Sequence, residues 1–360
     1  MHQGDMLAKW HRLERQAPDP SPMSSAAYAL AAQCLPDRLR PLTILHETPA
    51  GDLSLAACVR LSGRYGPLLK MATTRWNAFF VGGAPLMTDS ILPLTQELAR
   101  RNVRALKLAT APLEGPFHEA LSRQAAAHGL KMHVLASWRR AMLDATQTAD
   151  EWWRNDISSK RRKALKRLHH RLAEAGELTF ESLSPADELQ PWLEDFLALE
   201  KAGWKGRRGT AIACDAMQTR FVREMTQAFH ARKNLRFWRL KLNDRTIAAL
   251  FAMLVGDVLW LGKIAYDETL HKFSPGVLLV VEATREILAD PAVRLADSSA
   301  DPGHPMIDHL WKQRKAYGDV LLATMPAAKG FAGIVALERT RLALRNRLKR
   351  AWHPLRRACH

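Results

Sequence analysis

The sequence predicts an α/β (α+β) protein of two similar domains, each a mixed, mostly antiparallel sheet flanked by helices, followed by a basic amphipathic helix. Three observations carry this. The chain has 360 residues, enough for about two domains that each bury a core. Residues 235–266 read as three strands joined by two-residue turns. The plan of that region then recurs, faintly, 190 residues earlier.

The meander is LRFWRLKL (235–242), the turn Asn243-Asp244, TIAALFAMLV (246–255), the turn Gly256-Asp257 and VLWLGKIAY (258–266). The loop DETLHKF leads to Ser274-Pro275-Gly276, a helix from Val277 to about Leu288 and a strand at 293–299. HPMIDHLWKQR (304–314) has helical spacing, and VLLAT (320–324) reads as a last strand. In the first half, Gly51-Asp52 opens a strand at 53–61, and YGPLLKMA (65–72) forms the next. The loop FFVGGAPLM follows, with a helix ending near Arg101 and a strand at 103–109. Pro85 to Val103 and Pro275 to Val293 are equally spaced. These correspondences divide the chain into domains at 20–150 and 151–326 and a tail at 327–360.

Apolar residues make up 47% and charged residues 25%, which excludes a disordered chain. The net charge of +17 is concentrated: residues 158–176 hold +6 and residues 331–360 hold +7. Such charge attracts an anion, whether nucleic acid, a phosphate-rich cofactor or a membrane surface. Cys34, Cys58, Cys214 and Cys359 form no paired spacing, so neither a disulfide framework nor a metal site is expected. The first twenty residues lack the apolar core of a secretory signal, so a cytoplasmic location is expected. The most apolar stretch, 247–262, is short and contains Asp257, so it is not expected to span a membrane.

Ser274 can cap the helix, Pro275 suits its first turn, and Gly276 removes a side chain where something approaches the backbone. The N–H groups of Gly276, Val277 and Leu278 then face outward with the helix dipole behind them, an arrangement suited to pyrophosphate. An ordinary capped helix start has the same sequence.

The meander, the SPG turn, the helix and the strand carrying Asp297, with SSKRRKALKRLHHRLAEAG (158–176) before them and AYDETLHKFSPGVLL (265–279) within them, resemble the CelD-like double-domain acyltransferases of the GNAT superfamily, distant relatives of FemABX enzymes. The likeness covers residues 45–325. It implies two GNAT-like domains, the second with an acyl-coenzyme A site whose pyrophosphate loop is Ser274, Pro275 and Gly276, and whose thioester lies between the strands 258–266 and 293–299. The superfamily's usual QxxGxG/A loop is absent.

Asp297, Ser298, Asp301, His304, Asp308 and His309 gather within thirteen positions. An amine attacking a thioester must be neutral, so a base is needed. Asp297 or His304 is expected to serve, with Asp308 orienting the imidazole from one helical turn away; strand-end and capping roles explain the same residues. No metal motif is present. The resemblance further implies a tyrosine that protonates the departing thiolate, for which Tyr266 is the candidate; packing at a strand end is the plainer role.

The basic helix at 158–176 places Leu165, Leu168 and Leu172 on one face, and its charge is expected to be a solvated face. No RNA module accompanies it, so nucleic acid is not expected as a partner. In the tail, Ile334, Leu337, Leu344, Leu348, Trp352 and Leu355 form one stripe flanked by bases, with Pro354 closing the helix. This predicts attachment to an anionic membrane, the inner membrane of a bacterium; a helix packed on the body has the same pattern. The expected protein is an acyl-coenzyme A dependent N-acyltransferase, without metal. Its acceptor is an amine, either a long-chain amino alcohol giving a ceramide-like sphingolipid or an envelope amino sugar. The competing readings are an aminoacyl-tRNA dependent FemABX-like transferase and a non-catalytic scaffold binding an anionic surface or nucleic acid.

Overall fold

The computed structural model describes residues 3–62, 71–75, 83–326, 328 and 330–357, with side chains in the last helix described to Arg345 and at Arg347. The first half runs α1 (Gln3–Gln16), α2 (Ala26–Ala31), β1 (Leu42–Glu47), β2 (Leu53–Ser62), β3 (Met71–Thr73), β4 (Leu86–Met87), α3 (Leu92–Arg100), β5 (Ala105–Pro112), α4 (Pro116–Ala127) and β6 (Met132–Asp144). The second continues α5 (Ala149–Asn155), α6 (Ser159–Ala173), β7 (Leu178–Ser182), α7 (Leu189–Ala202), α8 (Trp204–Arg207), α9 (Ala216–Ala231), β8 (Leu235–Leu242), β9 (Arg245–Val255), β10 (Val258–Tyr266), α10 (Pro275–Ala289), β11 (Leu295–Asp297), β12 (Gln313–Ala323) and α11 (Phe331–Arg357).

The described strands join in one sheet, ordered β1-β2-β3-β5-β12-β6-β11-β10-β9-β8-β7, with β4 beside β2. Most pairings are antiparallel; β3 with β5 and β10 with β11 are parallel. The halves are continuous because β12, late in the chain, lies between β5 and β6, while β6 also pairs with β11 through Met142, Leu143 and Asp144. Each half buries both faces. In the second, β9 and β10 carry nearly unbroken apolar runs, with α7 and α9 covering one face and α5, α6 and α10 the other. Such runs are the expected signature of a sheet covered on both sides. In the first, α3 and α4 cover one face, and Phe331 and Ile334 of α11 pack on Met71, Ala105, Leu321 and Ala323 of the other.

The meander and α10 occupy the expected places. Two segments differ. Residues 304–314 are not a helix: only Ile307–His309 form a 3-10 turn, and β12 begins at Gln313. Tertiary contacts override the helical spacing there, since the buried Trp311 indole donates to Thr284 Oγ1 (3.1 Å) and Trp152 Nε1 donates to the Leu310 carbonyl (2.9 Å). Secondly, α11 continues through Pro354 to Arg357. Its first turns belong to the core: Ile334 is buried, and buried Glu338 pairs with Arg341 (2.9 Å) and with Lys107 of β5 (3.6 Å). Ile334 is therefore not part of a membrane-facing stripe. Leu337 and Leu344 are exposed on a neighbouring side of the helix, and the side chains of Leu348, Trp352 and Leu355 lie outside the described residues.

Candidate active site

The site is built where two parallel strands separate. β10 and β11 pair only over Val258–Leu295, Leu259–Ala296 and Trp260–Asp297. β11 ends at Asp297, whereas β10 continues to Tyr266. The β10 register against β9 shifts between Leu261 and Lys263, a bulge at the point of separation. Bulges bend a strand and redirect its side chains. Gly262 permits this one, because a Cβ there would lie 2.4 Å from the Phe251 ring.

α10 begins at the open end of this fork. Ser274 has φ +53° and ψ +52°, and its side chain makes no capping bond. Its carbonyl accepts the N–H groups of Val277 (2.9 Å) and Leu278 (3.2 Å). The expected hydroxyl cap is thus absent, and two of the three amides expected to face an anion are engaged within the turn; Gly276 alone of them lacks an intrahelical partner. A Cβ on Gly276 would stand 3.0 Å from Tyr266 Cδ1, 3.1 Å from Met306 Cε and 3.5 Å from Ile264 Cδ1. Gly276 therefore brings α10, the end of β10 and the loop carrying His304 into one place.

Asp297, at the vertex of the fork, is fully buried. Arg140 Nη1 of β6 donates to its Oδ1 (3.0 Å), Tyr317 Oη of β12 donates to its Oδ2 (2.6 Å), and the Ser299 amide donates to Oδ1 (2.7 Å). The Arg140 guanidinium also stacks over the Tyr317 ring at 4.6 Å, and its Nε has no partner among the described atoms. Burial, and then the neighbouring Asp297 charge, push the Tyr317 hydroxyl well above its ordinary pKa of 10.0. Three donors of the protein itself thus occupy the Asp297 carboxylate. Local sequence gave no reason to join Arg140 and Tyr317 to Asp297, since the three lie on separate strands.

His304 is half-buried, and its Nδ1 accepts a long bond from the Met306 amide (3.4 Å). Burial lowers its pKa from 6.5 against the opposing charges of Asp308 and Asp301, which favours the neutral ring. Asp308 does not bond the imidazole: its carboxylate accepts the Gly303 amide (2.8 Å) and lies 3.8 Å from Arg314. The expected pairing fails because residues 304–308 form a turn rather than a helix; only the Asp308 N–H reaches back to the His304 carbonyl (3.2 Å). Tyr266 is half-buried with its ring edge against Gly276.

The basic helix α6 packs Leu165 and Leu172 into the core, and Arg162 donates to the carbonyls of Trp153, Arg154 and Ile157, closing the preceding helix. Its other end reaches the turn before α10, where Arg171 lies 5.9 Å above the Phe273 ring and Lys272 lies 4.9 Å from it. Among the described residues no cluster of metal ligands occurs, and no helix is long and apolar enough to cross a membrane.

The resemblance implies a thioester between the strands 258–266 and 293–299 and a pyrophosphate at Ser274, Pro275 and Gly276. Residues 159–326 match the acetyltransferase (GNAT) domain family. The chain carries a GNAT domain. No curated protein matches the sequence. Among solved structures, FemX superposes with a TM-score of 0.61 at 10% identity, covering 89% of this chain and 96% of FemX. The C-terminal domain of a proposed lysylphosphatidylglycerol synthetase from Agrobacterium fabrum gives 0.55 at 13%, covering 93% and 96%. L-PGS from Bacillus licheniformis gives 0.53 at 11%, covering 90% and 97%. At such identities the likeness is one of fold, and it spans both halves of the chain.

Proposed function

We propose that the protein is an N-acyltransferase that moves an acyl group from coenzyme A to an amine at the β10–β11 fork. The observation that carries this is the separation of the strands beyond Trp260 and Asp297 with Gly276 of α10 at its mouth. The unpaired edge of β10 offers backbone donors to an extended donor arm, and the α10 N-terminus favours the pyrophosphate. Ser274, Pro275, Gly276, Val277 and Leu278 form this donor turn.

The amine nitrogen attacks the thioester carbonyl carbon; the C–N bond forms and the C–S bond breaks. His304 takes the amine proton at Nδ1, giving up its long contact with Met306, and Tyr266 protonates the departing thiolate. Asp297 acts as a positioning residue, fixed by Arg140 and Tyr317, that holds the vertex of the fork. Asp308 orders the His304 loop through Gly303. The halves at 20–150 and 151–326 are the two domains. A lipid amine or an envelope amino sugar is the acceptor class. The part of α11 beyond Leu344 attaches the protein to an anionic membrane, where several basic residues at about 1 kcal/mol each suffice.

A second reading, transfer from aminoacyl-tRNA, is favoured by the contact of α6 with the turn before α10, which brings Arg171 to the donor mouth. Calorimetric titration with acyl-coenzyme A and with an aminoacyl-RNA hairpin separates the two. Binding of the thioester, lost in Gly276→Val, supports the first; binding of the RNA alone selects the second.

A further inference from the structure

At the fork, β10 has two working faces. On one, Ile264 and Tyr266 lie against Gly276 of α10. On the other, Lys263 points to α7, where its ammonium lies 4.0 Å from Glu200. Lys205 of α8 reaches the same carboxylate at 2.7 Å, so two ammonium groups converge on one buried acid whose second oxygen already accepts the Ile212 amide (2.8 Å). Burial, and then the charge of Lys205, hold Lys263 below its ordinary pKa.

Beside this pair, α8 presents Trp204, 46% exposed, with Arg208 at 5.0 Å and Lys205 at 6.0 Å from its ring. Glu268 ties α8 to the turn before α10: it accepts the Trp204 amide (2.8 Å) and the Arg207 guanidinium (2.6 Å). Although burial opposes it, these donors keep the Glu268 carboxyl below its usual range. Gly203 allows the approach, since a Cβ there would be 2.8 Å from Glu268 Oε1. The shelf is therefore anchored to the donor turn yet stands on the opposite side of β10.

A donor pyrophosphate on the α10 side leaves the α8 side to the far end of the acceptor, whose amine meets the thioester and His304 at the fork. We propose that Lys205 and Arg208, beside the exposed indole of Trp204, together with the neighbouring Arg207 and Lys263, bind the acceptor, and that this acceptor is an amine bearing a phosphate. Guanidinium and ammonium groups supply charge-assisted bonds to the phosphate, and the indole supplies a floor for the apolar or ring portion beside it. A plain long-chain amino alcohol has nothing to offer these cations. The inference rests on the proposed transfer at the fork. The phosphate can belong to a nucleotide-linked amino sugar or to a phospholipid headgroup.

The test is binding by the full chain, read by calorimetry, of O-phosphoethanolamine and ethanolamine, with UDP-glucosamine and phosphatidylethanolamine vesicles as arms that separate a soluble from a lipid source. Phosphoethanolamine is expected to bind where ethanolamine does not. The exposed-site variants Trp204→Ala and Arg208→Glu are expected to weaken it about tenfold or more while leaving coenzyme A affinity unchanged. Equal binding of the two amines, unchanged affinity in both variants, or loss of coenzyme A affinity in Arg208→Glu overturns the assignment. Phosphoethanolamine binding without any acyl-coenzyme A binding removes the proposed transfer and leaves the phosphate site standing; the reverse removes the phosphate site alone.

Discussion

The Tyr317 hydroxyl donates a 2.6 Å hydrogen bond to Asp297 Oδ2, joining a strand from between β5 and β6 to the vertex of the fork in the GNAT domain. Both groups are buried, and Arg140 completes the cluster from β6. The last residue of β11 is thus fixed by the two strands that connect the halves.

Removing the charge of Asp297 leaves a buried guanidinium without its partner. Asp297→Asn is expected to destabilise the protein by about 3–5 kcal/mol, and Tyr317→Phe by about 1–3 kcal/mol. Denaturant unfolding of the two variants checks both figures. A fully stable Asp297→Asn that has lost turnover would instead make Asp297 the base.

The proposed base predicts a pH profile. His304 must be neutral to accept a proton, and burial places its pKa below 6.5, so kcat/KM is expected to be flat above that value and to fall as pH drops through the lowered pKa. His304→Ala is expected to lower turnover by about 10²-fold and to abolish this acid limb, with little change in Tm. An unchanged limb assigns it to another group.

Gly276→Ala adds one methyl where Tyr266 Cδ1 and Met306 Cε stand 3.0 and 3.1 Å away. Both side chains must shift by a few tenths of an ångström, displacing the tyrosine and the loop of His304 together. Coenzyme A affinity and kcat are expected to fall more for Gly276→Val than for Gly276→Ala, as measured by calorimetry and steady-state rates.

The two parts of α11 are expected to respond differently to truncation. Ending the chain after Leu344 keeps Phe331, Ile334 and Glu338 in place, so Tm is expected to hold while sedimentation with anionic vesicles is lost. Ending it before Phe331 uncovers Met71, Ala105, Leu321 and Ala323; at about 1.5–3 kcal/mol for each large side chain removed, the fold is expected to weaken by several kcal/mol. Vesicle binding that survives the shorter cut places membrane contact elsewhere.

The meander and α10 were legible because their punctuation is local: Asn243, Asp244 and Gly256 adopt positive φ at the two turns, and Pro275 marks the first helical turn. Residues 304–314 were not legible, because Ile307, Leu310 and Trp311 take their helical spacing from separate contacts with the core. Asp297 stood out in sequence, but its partners did not. Arg140 is the second of two adjacent arginines before the apolar AML of β6, and Tyr317 lies mid-strand; only the pairing of β6 with both β11 and β12 brings them together. Glu200 was missed likewise: a carboxylate on the apolar side of α7 is a signal, but Lys205 and Lys263 reach it from different elements.

The most direct measurement of the central claim is amine-dependent release of free thiol from acyl-coenzyme A, with the product identified by mass. The fork mechanism predicts one amide formed per thiol released, abolished in Gly276→Val and reduced about 10²-fold in His304→Ala. Thiol release without an amide, or amide formation at the wild-type rate in both variants, would contradict transfer at the β10–β11 fork.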